Sequence, residues 1–346
     1  MRQMKFQEKS QRRRRNNEPP TTTRNNYDLR PTAERMQRQQ KTPVVPQPPS
    51  ATQVLRNHGI LTYSYWELGS GHYSKVYRAV HNDIQYAVKV IKLKHVGEEF
   101  RDQFLPREIA CWHNVRHGNI CRLMGHFGYE DVYMFMIMEY CDGGDLLSFI
   151  QGNGPLPDST GRTWLGQLLD AVVYLHKKKI AHRDIKAENV LIYSRGVKLT
   201  DFGFACYEPD GHYSTTYCGS KAYSCPEILS GVPYDVFKGD VWSFGALCYV
   251  AMTNSMPFRE NVSSNKLIIE QQKRKDFKWP NFVKPDCKYA INKMLTFDQQ
   301  VRPTARMAKE LSFFYEPNLK TNMLNPLQNP VVIDFETEYS STRAYG

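Results

Sequence analysis

The eight residues His182-Arg183-Asp184-Ile185-Lys186-Ala187-Glu188-Asn189 place a carboxylate, an ammonium and an amide at i, i+2 and i+5 of one short stretch. Apolar runs bound it, Ile180-Ala181 before and Val190-Leu191-Ile192 after, so it reads as a loop between two strands. A carboxylate can orient or accept a hydroxyl proton, and an ammonium can neutralise a transferring anion. Carboxylate and amide oxygens can hold a hard divalent cation. These are the parts that phosphoryl transfer requires. The same residues also suit a plain polar loop, and eight positions alone do not separate the two. The elements that would have to position them decide.

With 346 residues, 41% of them apolar, the chain can bury a large core without all of it folding. Residues 1–58 hold 13 Lys/Arg and 4 Asp/Glu, so that of a net charge of +11 only +2 belongs to everything after them. Basicity is thus a property of a tail and says little about the fold. Residues 1–50 are rich in Arg, Gln, Asn, Thr and Pro and nearly devoid of large apolar side chains, so burial cannot offset the cost of ordering and disorder is predicted. Arg12-Arg13-Arg14-Arg15 suits nuclear import, nucleic acid or an anionic membrane surface, although a plain solvated charge run comes first. Thr42 to Ser50, with Pro43, Pro46, Pro48 and Pro49, reads as an extended linker, and the folded domain is expected to begin near Gly59. Eight cysteines without C-x-x-C spacing, and no apolar run approaching the ~20 residues of a bilayer span, predict a reduced, soluble, intracellular protein. Most of these thiols are expected to be small core hydrophobes, with Cys141 and Cys206 near the site.

Ahead of the loop, Leu68-Gly69-Ser70-Gly71-His72-Tyr73-Ser74-Lys75-Val76 sits between strand-like residues. Glycines at i and i+2 let a strand turn bring backbone N–H groups over phosphates where a Cβ would intrude. Further on, Tyr86-Ala87-Val88-Lys89-Val90-Ile91 alternates as a buried strand does and carries Lys89 in its apolar middle, where a lysine is costly unless paired. Glu98 to Arg116 reads as helical, with Phe100, Phe104, Ile109 and Trp112 sharing a face and Pro106 near a turn or first helical position. The natural partner for Lys89 lies in this stretch. Leu165, Leu168, Leu169, Val172, Val173 and His176 keep the spacing of a buried helix face, with Asp158 as the expected cap. After the loop, Val197-Lys198-Leu199-Thr200 forms a strand that ends in Asp201-Phe202-Gly203, seventeen residues past Asp184.

The order and spacing of these segments resemble the protein kinases over about Gly59 to Tyr315. The loop matches H-R-D-x-K-x-x-N, and the resemblance implies an α+β bilobal fold, with a small β-rich N-lobe to about residue 140 and a larger, mainly helical C-lobe to 315. Residues 316–346 would be a flexible tail. It implies ATP and Mg²⁺ as cofactors, Asp184 at the attacking hydroxyl and Lys186 on the transferring phosphoryl. Metal falls to Asn189 and Asp201, and Glu108 would pair with Lys89. Nucleotide contacts fall to Leu68, Gly69, Ser70, Gly71, Val76, Ala87, Lys89, Glu108, Met138, Glu139, Cys141, Asp145 and Leu191, with Met138 as gatekeeper and Glu139-Tyr140-Cys141 as hinge. Asp240, in Gly239-Asp240-Val241-Trp242-Ser243-Phe244-Gly245, would anchor the loop, and Glu227 would pair with Arg302. Ser214 to Ser220 resembles an activation segment in which a phosphate on Thr216, from an upstream kinase or by autophosphorylation, docks on Arg183. Ser220 would bridge Lys186 and Asp184, as in serine/threonine kinases. Ser74, Cys225 and Lys221 depart from the pattern; the last bears on substrate preference. Phe104-Leu105-Pro106-Arg107-Glu108-Ile109, Tyr217-Cys218-Gly219-Ser220-Lys221-Ala222-Tyr223 and Asp201-Phe202-Gly203-Phe204-Ala205 are similar to the testis-specific serine kinases of the calmodulin-dependent and AMP-activated group. The expected protein is monomeric and cytoplasmic, with nuclear entry through Arg12–Arg15, and acts on protein substrates bearing basic residues before the acceptor. A catalytically silent scaffold of the same fold is the alternative; the loss of Lys89, Asp184 or Asp201 that would mark it is absent.

Overall fold

The computed structural model describes residues 48–71, 73–259 and 264–315. The expectations for residues 1–47, Arg12–Arg15 among them, and for 316–346 lie outside the described residues. The chain opens with helix α1 (Ala51–Asn57), then strands β1 (Glu67–Ser70), β2 (Ser74–His81) and β3 (Ile84–Lys92). Helix α2 (Leu105–His113) follows, then β4 (Leu123–Tyr129) and β5 (Tyr133–Glu139). These five strands form an antiparallel sheet in the order β1-β2-β3-β5-β4. The remainder is mostly helical: α3 (Leu146–Asn153), α4 (Asp158–Lys177), the short strands β6 (Ile180–Ala181), β7 (Val190–Tyr193), β8 (Gly196–Leu199) and β9 (Cys206–Tyr207), then α5 (Pro226–Ser230), α6 (Val236–Thr253), α7 (Asn265–Arg274), α8 (Pro285–Met294) and α9 (Ala305–Lys309). The two-lobed expectation describes this arrangement. Among the described residues no helix is long and apolar enough to cross a membrane.

Strand β5 is apolar at nearly every position because both faces of the sheet are covered. Ala87, Ile91, Met134, Met136 and Met138 join the main core below it. On the other face Val88, Val90, Phe127, Phe135 and Ile137 form a second core with Val54, Leu55 and Ile60. Helix α6 is buried almost all round, the mark of a central helix. Asp235 caps it by accepting hydrogen bonds from the backbone N–H groups of Phe237 and Lys238.

Three local expectations are corrected. Folded structure begins before Gly59: Ser50 caps α1 through the Gln53 N–H at 3.2 Å, and Val54 and Leu55 are each 1% exposed. Two adjacent apolar residues after a proline run carry no periodicity, so only the sheet face they cover reveals them. Within 98–116, residues Phe100–Phe104 form a wider π-type turn ahead of α2. The extra residue rotates the helix, so Leu105, Glu108, Cys111 and Trp112 are the buried positions, and Phe100, Phe104 and Ile109 are only partly covered. Pro106 falls within the first helical positions of α2, as expected. Asp158 does not cap α4. It is the first helical residue, and its carboxylate takes Arg162 Nε at 2.9 Å and Lys284 Nζ at 2.8 Å.

Leu55→Ala should cost about 2–5 kcal/mol by opening a cavity on the outer sheet face, read as a lower urea midpoint. Truncation at Gly59 should lower it further, since it uncovers the second core altogether. A midpoint unchanged by either would show that α1 contributes nothing to the small lobe.

Candidate active site

The loop 182–189 is held from below by one carboxylate. Asp240 on α6, 1% exposed, accepts the His182 N–H at 2.8 Å, the Arg183 N–H at 2.7 Å and His176 Nε2–H at 2.9 Å. Burial pushes its carboxyl pKa up, but the hydrogen bond and charge of His176, with the charge and backbone N–H of His182, outweigh burial and hold it below the ordinary value. Arg183 sits at φ +63°, a conformation that costs a non-glycine residue about 1–3 kcal/mol and persists because its neighbours fix it. The His182 ring donates from Nε2 to the Thr200 carbonyl at 3.1 Å and lies edge-on to Phe202 at 5.0 Å. Phe202 in turn stacks on Trp112 of α2 at 5.1 Å. This buried aromatic column joins loop, Asp201 and helix.

Asp184, 4% exposed, is fully engaged on one oxygen and shared on the other. Its Oδ1 accepts the Ser220 N–H and Oγ–H, each at 3.0 Å. Its Oδ2 accepts Asn189 Nδ2 at 3.0 Å and pairs with Lys186 Nζ at 2.8 Å. Lys186 Nζ also donates to Ser220 Oγ at 2.9 Å, so Ser220 bridges the two as expected. Above them Lys89 on β3 pairs with Glu108 of α2 at 2.8 Å and with Asp201 at 3.3 Å. Burial pushes the Lys89 pKa down, but Glu108 and Asp201 more than reverse it, and the ammonium is held well above its ordinary value. Asp201, at φ +64°, has its carboxyl pushed up by burial and pulled lower overall by Lys89, His182 and the Gly203 N–H.

The residues assigned to nucleotide and metal are only partly gathered by side chain. Leu68, Gly69, Ser70 and Gly71 lie exposed on β1 and its turn, which the Gly71 N–H closes onto Ser74 O at 2.8 Å. A Cβ on Gly69 would meet nothing within 4 Å, so the space beside it is open. Val76 is paired in register with Lys89, Ala87 with Met138, and Asp145 bridges to Leu191. Glu139 turns its side chain away, to Lys198 at 3.1 Å and the Arg122 N–H at 3.3 Å, and its own N–H goes to Arg122 O. Only its carbonyl is left for a ligand, and the Cys121 thiol lies 3.4 Å from it. Asp145 is the cap of α3, with both oxygens on Ser148 at 2.8 and 2.7 Å. Cys141 is a half-buried free thiol on the hinge, and Cys206, also a free thiol, pairs with Ala181, which leads into the loop. The remaining donors fit a hard cation. Asn189 commits its amide nitrogen twice to Asp184 and keeps its oxygen, and Asp201, 43% exposed, commits only Oδ1.

Thr216 is exposed, and Arg183 Nε donates to Phe204 O at 2.7 Å. The segment around Thr216 is instead held by Tyr234, which sequence reasoning did not single out. Ser214 and Tyr234 exchange backbone bonds at 2.8 and 3.0 Å, and the Tyr234 hydroxyl donates to Thr216 O at 3.3 Å. Gly219, at φ +84°, lies so close to Arg183 that a Cβ would come within 2.5 Å of the Arg183 carbonyl. Glu227 and Arg302 form the expected pair at 2.8 and 3.1 Å, buried under the end of the segment. His176, read only as part of a helix face, and Lys198, read only as part of a strand, also prove to be positioning residues. Cys225 is buried, and burial pushes its thiol up to about 12, so it acts as packing.

The family model for the protein kinase domain matches residues 64–314. Testis-specific serine/threonine-protein kinase 3 of Homo sapiens is 38% identical over 241 residues, covering 68% of this chain and 90% of that protein. Testis-specific serine/threonine-protein kinase 4 of Homo sapiens is 36% identical over 247 residues, 66% of this chain and 75% of that protein. An Aurora kinase of Candida glabrata is 34% identical over 239 residues, 68% of this chain and 66% of that protein.

Replacing Asp240 by Ala should cost about 3–5 kcal/mol, because two loop N–H groups and His176 lose a buried charged partner. Since its folded pKa lies below the unfolded value of about 3.9, the stability it gives is complete above that pH and is lost as pH falls through the folded pKa. Acid unfolding curves of wild type and Asp240→Ala should therefore converge below about pH 4. A constant gap down to pH 2 would show that the carboxylate's charge is not what holds the loop.

Proposed function

The chain belongs to the protein kinase family and is a protein serine/threonine kinase, and from that premise we propose that it transfers the γ-phosphoryl group of ATP, with Mg²⁺, to serine and threonine hydroxyls of protein substrates. The observation that carries this is the joint engagement of Lys89 with Glu108 and Asp201 and of Asp184 with Lys186 and Ser220, since Lys89 meets partners 19 and 112 residues away and the loop's own Asp184–Lys186 pair is closed by Ser220, 36 residues on. Asp184 receives the acceptor hydroxyl and orients or takes its proton. Lys186, 2.8 Å from that carboxylate, neutralises charge on the transferring group. Lys89 holds the α- and β-phosphates and is itself held by Glu108. Asn189 and Asp201 offer the oxygens for Mg²⁺, which when bound bridges phosphate oxygens and offsets their charge. Gly69 and Gly71 keep the turn over the phosphates free of side chains, with the Gly71 N–H itself held by Ser74 O.

Regulation is proposed through Thr216, phosphorylated by an upstream kinase or by the chain itself, with Arg183 as the docking cation. The exposed Thr216 supports this, being reachable by a modifying enzyme without unfolding. Substrates are proposed to carry basic residues before the acceptor, attracted by Asp145 and the exposed Glu188. We place the protein in cytoplasmic signalling as a monomer, with nuclear entry through Arg12–Arg15.

Radiolabel transfer from ATP to a generic basic protein tests the activity. Wild type should label it. Asp184→Asn should lower kcat by about 10²- to 10⁴-fold and Lys89→Met by about 10²- to 10³-fold. Equal silence of all three, before and after treatment that phosphorylates Thr216, would overturn the proposal. Thr216→Ala and Arg183→Ala should each lower activity, and the double variant should lose no more than the worse single one if the two act as a pair.

A further inference from the structure

The turn that follows Ser220 carries a cation without a counterion. Lys221–Tyr223 form one tight turn, pinned at its start because Ser220 donates twice to Asp184. Its end is pinned by Ser224, whose Oγ donates to Ser220 O at 3.1 Å and whose carbonyl accepts from Gln272 Nε2 at 2.9 Å. Tyr223 is turned inward, its hydroxyl 3.4 Å from Glu188 Oε2 and its carbonyl accepting from Ser243 Oγ at 2.9 Å. Lys221 is only half-buried. The other lysines around the site are each engaged: Lys89 with Glu108, Lys186 with Asp184, Lys198 with Glu139. Among the described residues no carboxylate pairs with Lys221.

One step of backbone, about 3.8 Å between Cα atoms, separates Lys221 from the serine that touches the catalytic carboxylate. An extended peptide rises about 3.3 Å per residue, so the neighbour of an acceptor seated at Asp184 lies within reach of a lysine stem rooted there. We propose that Lys221 is a specificity-determining residue that selects substrates with a carboxylate, Asp or Glu, directly after the acceptor. This rests on the proposed kinase activity and deepens it. The proposed preference for basic residues before the acceptor, drawn by Asp145 and Glu188, sets the side: an acidic residue is disfavoured there, which leaves the position after the acceptor for Lys221 to recognise. The turn is rigid at both ends, so the cation is presented at low ordering cost and need not be recruited by the substrate.

The full chain should be assayed on three serine peptides that differ only directly after the acceptor, bearing Glu, Gln or Lys, with a generic basic protein beside them. Wild type should prefer Glu over Gln by about three- to fivefold in kcat/KM at low salt, shrinking as salt rises. Lys221→Ala should bring the ratio to about one, and Lys221→Glu should invert it in favour of the Lys peptide. Each ratio is taken within one preparation, so partial misfolding of a variant does not disturb it. A flat wild-type profile overturns the proposal. So does a preference that survives Lys221→Ala, or one for Glu before the acceptor. If wild type labels neither peptides nor the basic protein, the kinase proposal falls and this one with it; if the basic protein alone is labelled, or all peptides equally, only this one falls.

Discussion

Two consecutive backbone N–H groups, those of His182 and Arg183, converge on the single buried carboxylate of Asp240. The arrangement forces Arg183 into a left-handed conformation that no isolated loop of these residues would keep. It is stable because α6 is buried almost all round and cannot move its carboxylate without disturbing the main core. A carboxylate in such a place is tolerable only when well hydrogen-bonded, and three donors converge on it. Asp184, two residues past His182, inherits its position from this grip.

A second constraint ties the lobes together and follows from the first. His182 packs against Phe202, and Phe202 against Trp112, so the loop fixed by α6 sets the height of α2. Glu108 lies one turn before Trp112 on that helix, which brings it to Lys89. Ion pair and aromatic column are therefore two readouts of one geometry. A displacement of α2 would break both.

The segment from Ser214 to Glu227 is held by a separate set of contacts. Tyr234 grips its middle through backbone exchange and its hydroxyl, Gly219 lets it pass close beside Arg183, and Arg302 fixes its end through Glu227. Burial pushes the Tyr234 phenol well above its ordinary pKa, so it stays a neutral donor. These contacts are polar, in contrast to the apolar column, and they leave Thr216 exposed and Lys221 half-buried on an otherwise anchored strip.

By itself the sequence determined the chemistry: the loop, its strand-bounded position, Lys89 in an apolar strand with Glu108 to match, Asp201 after a strand, and Asp240 and Arg302 as buried partners. Those signals are local in the chain, because each motif needs its residue types at short, fixed spacing. Only the tertiary structure decided which carboxylates were free to act. Asp145 and the Glu139 side chain stand in the right segments, but Ser148 takes the hydrogen bonds of the first, leaving it only its charge, and Lys198 with Arg122 engage the second. Tyr234, His176 and helix α1 left no signal, for the partners of the first two lie 18 and 64 residues away and α1 packs on residues of strands β2 to β5. The extra residue of the π-type turn before α2 likewise rotated a face that an ideal period had placed elsewhere. Spacing along a chain can announce what a group is able to do, whereas the competition for its hydrogen bonds is settled only when distant segments meet.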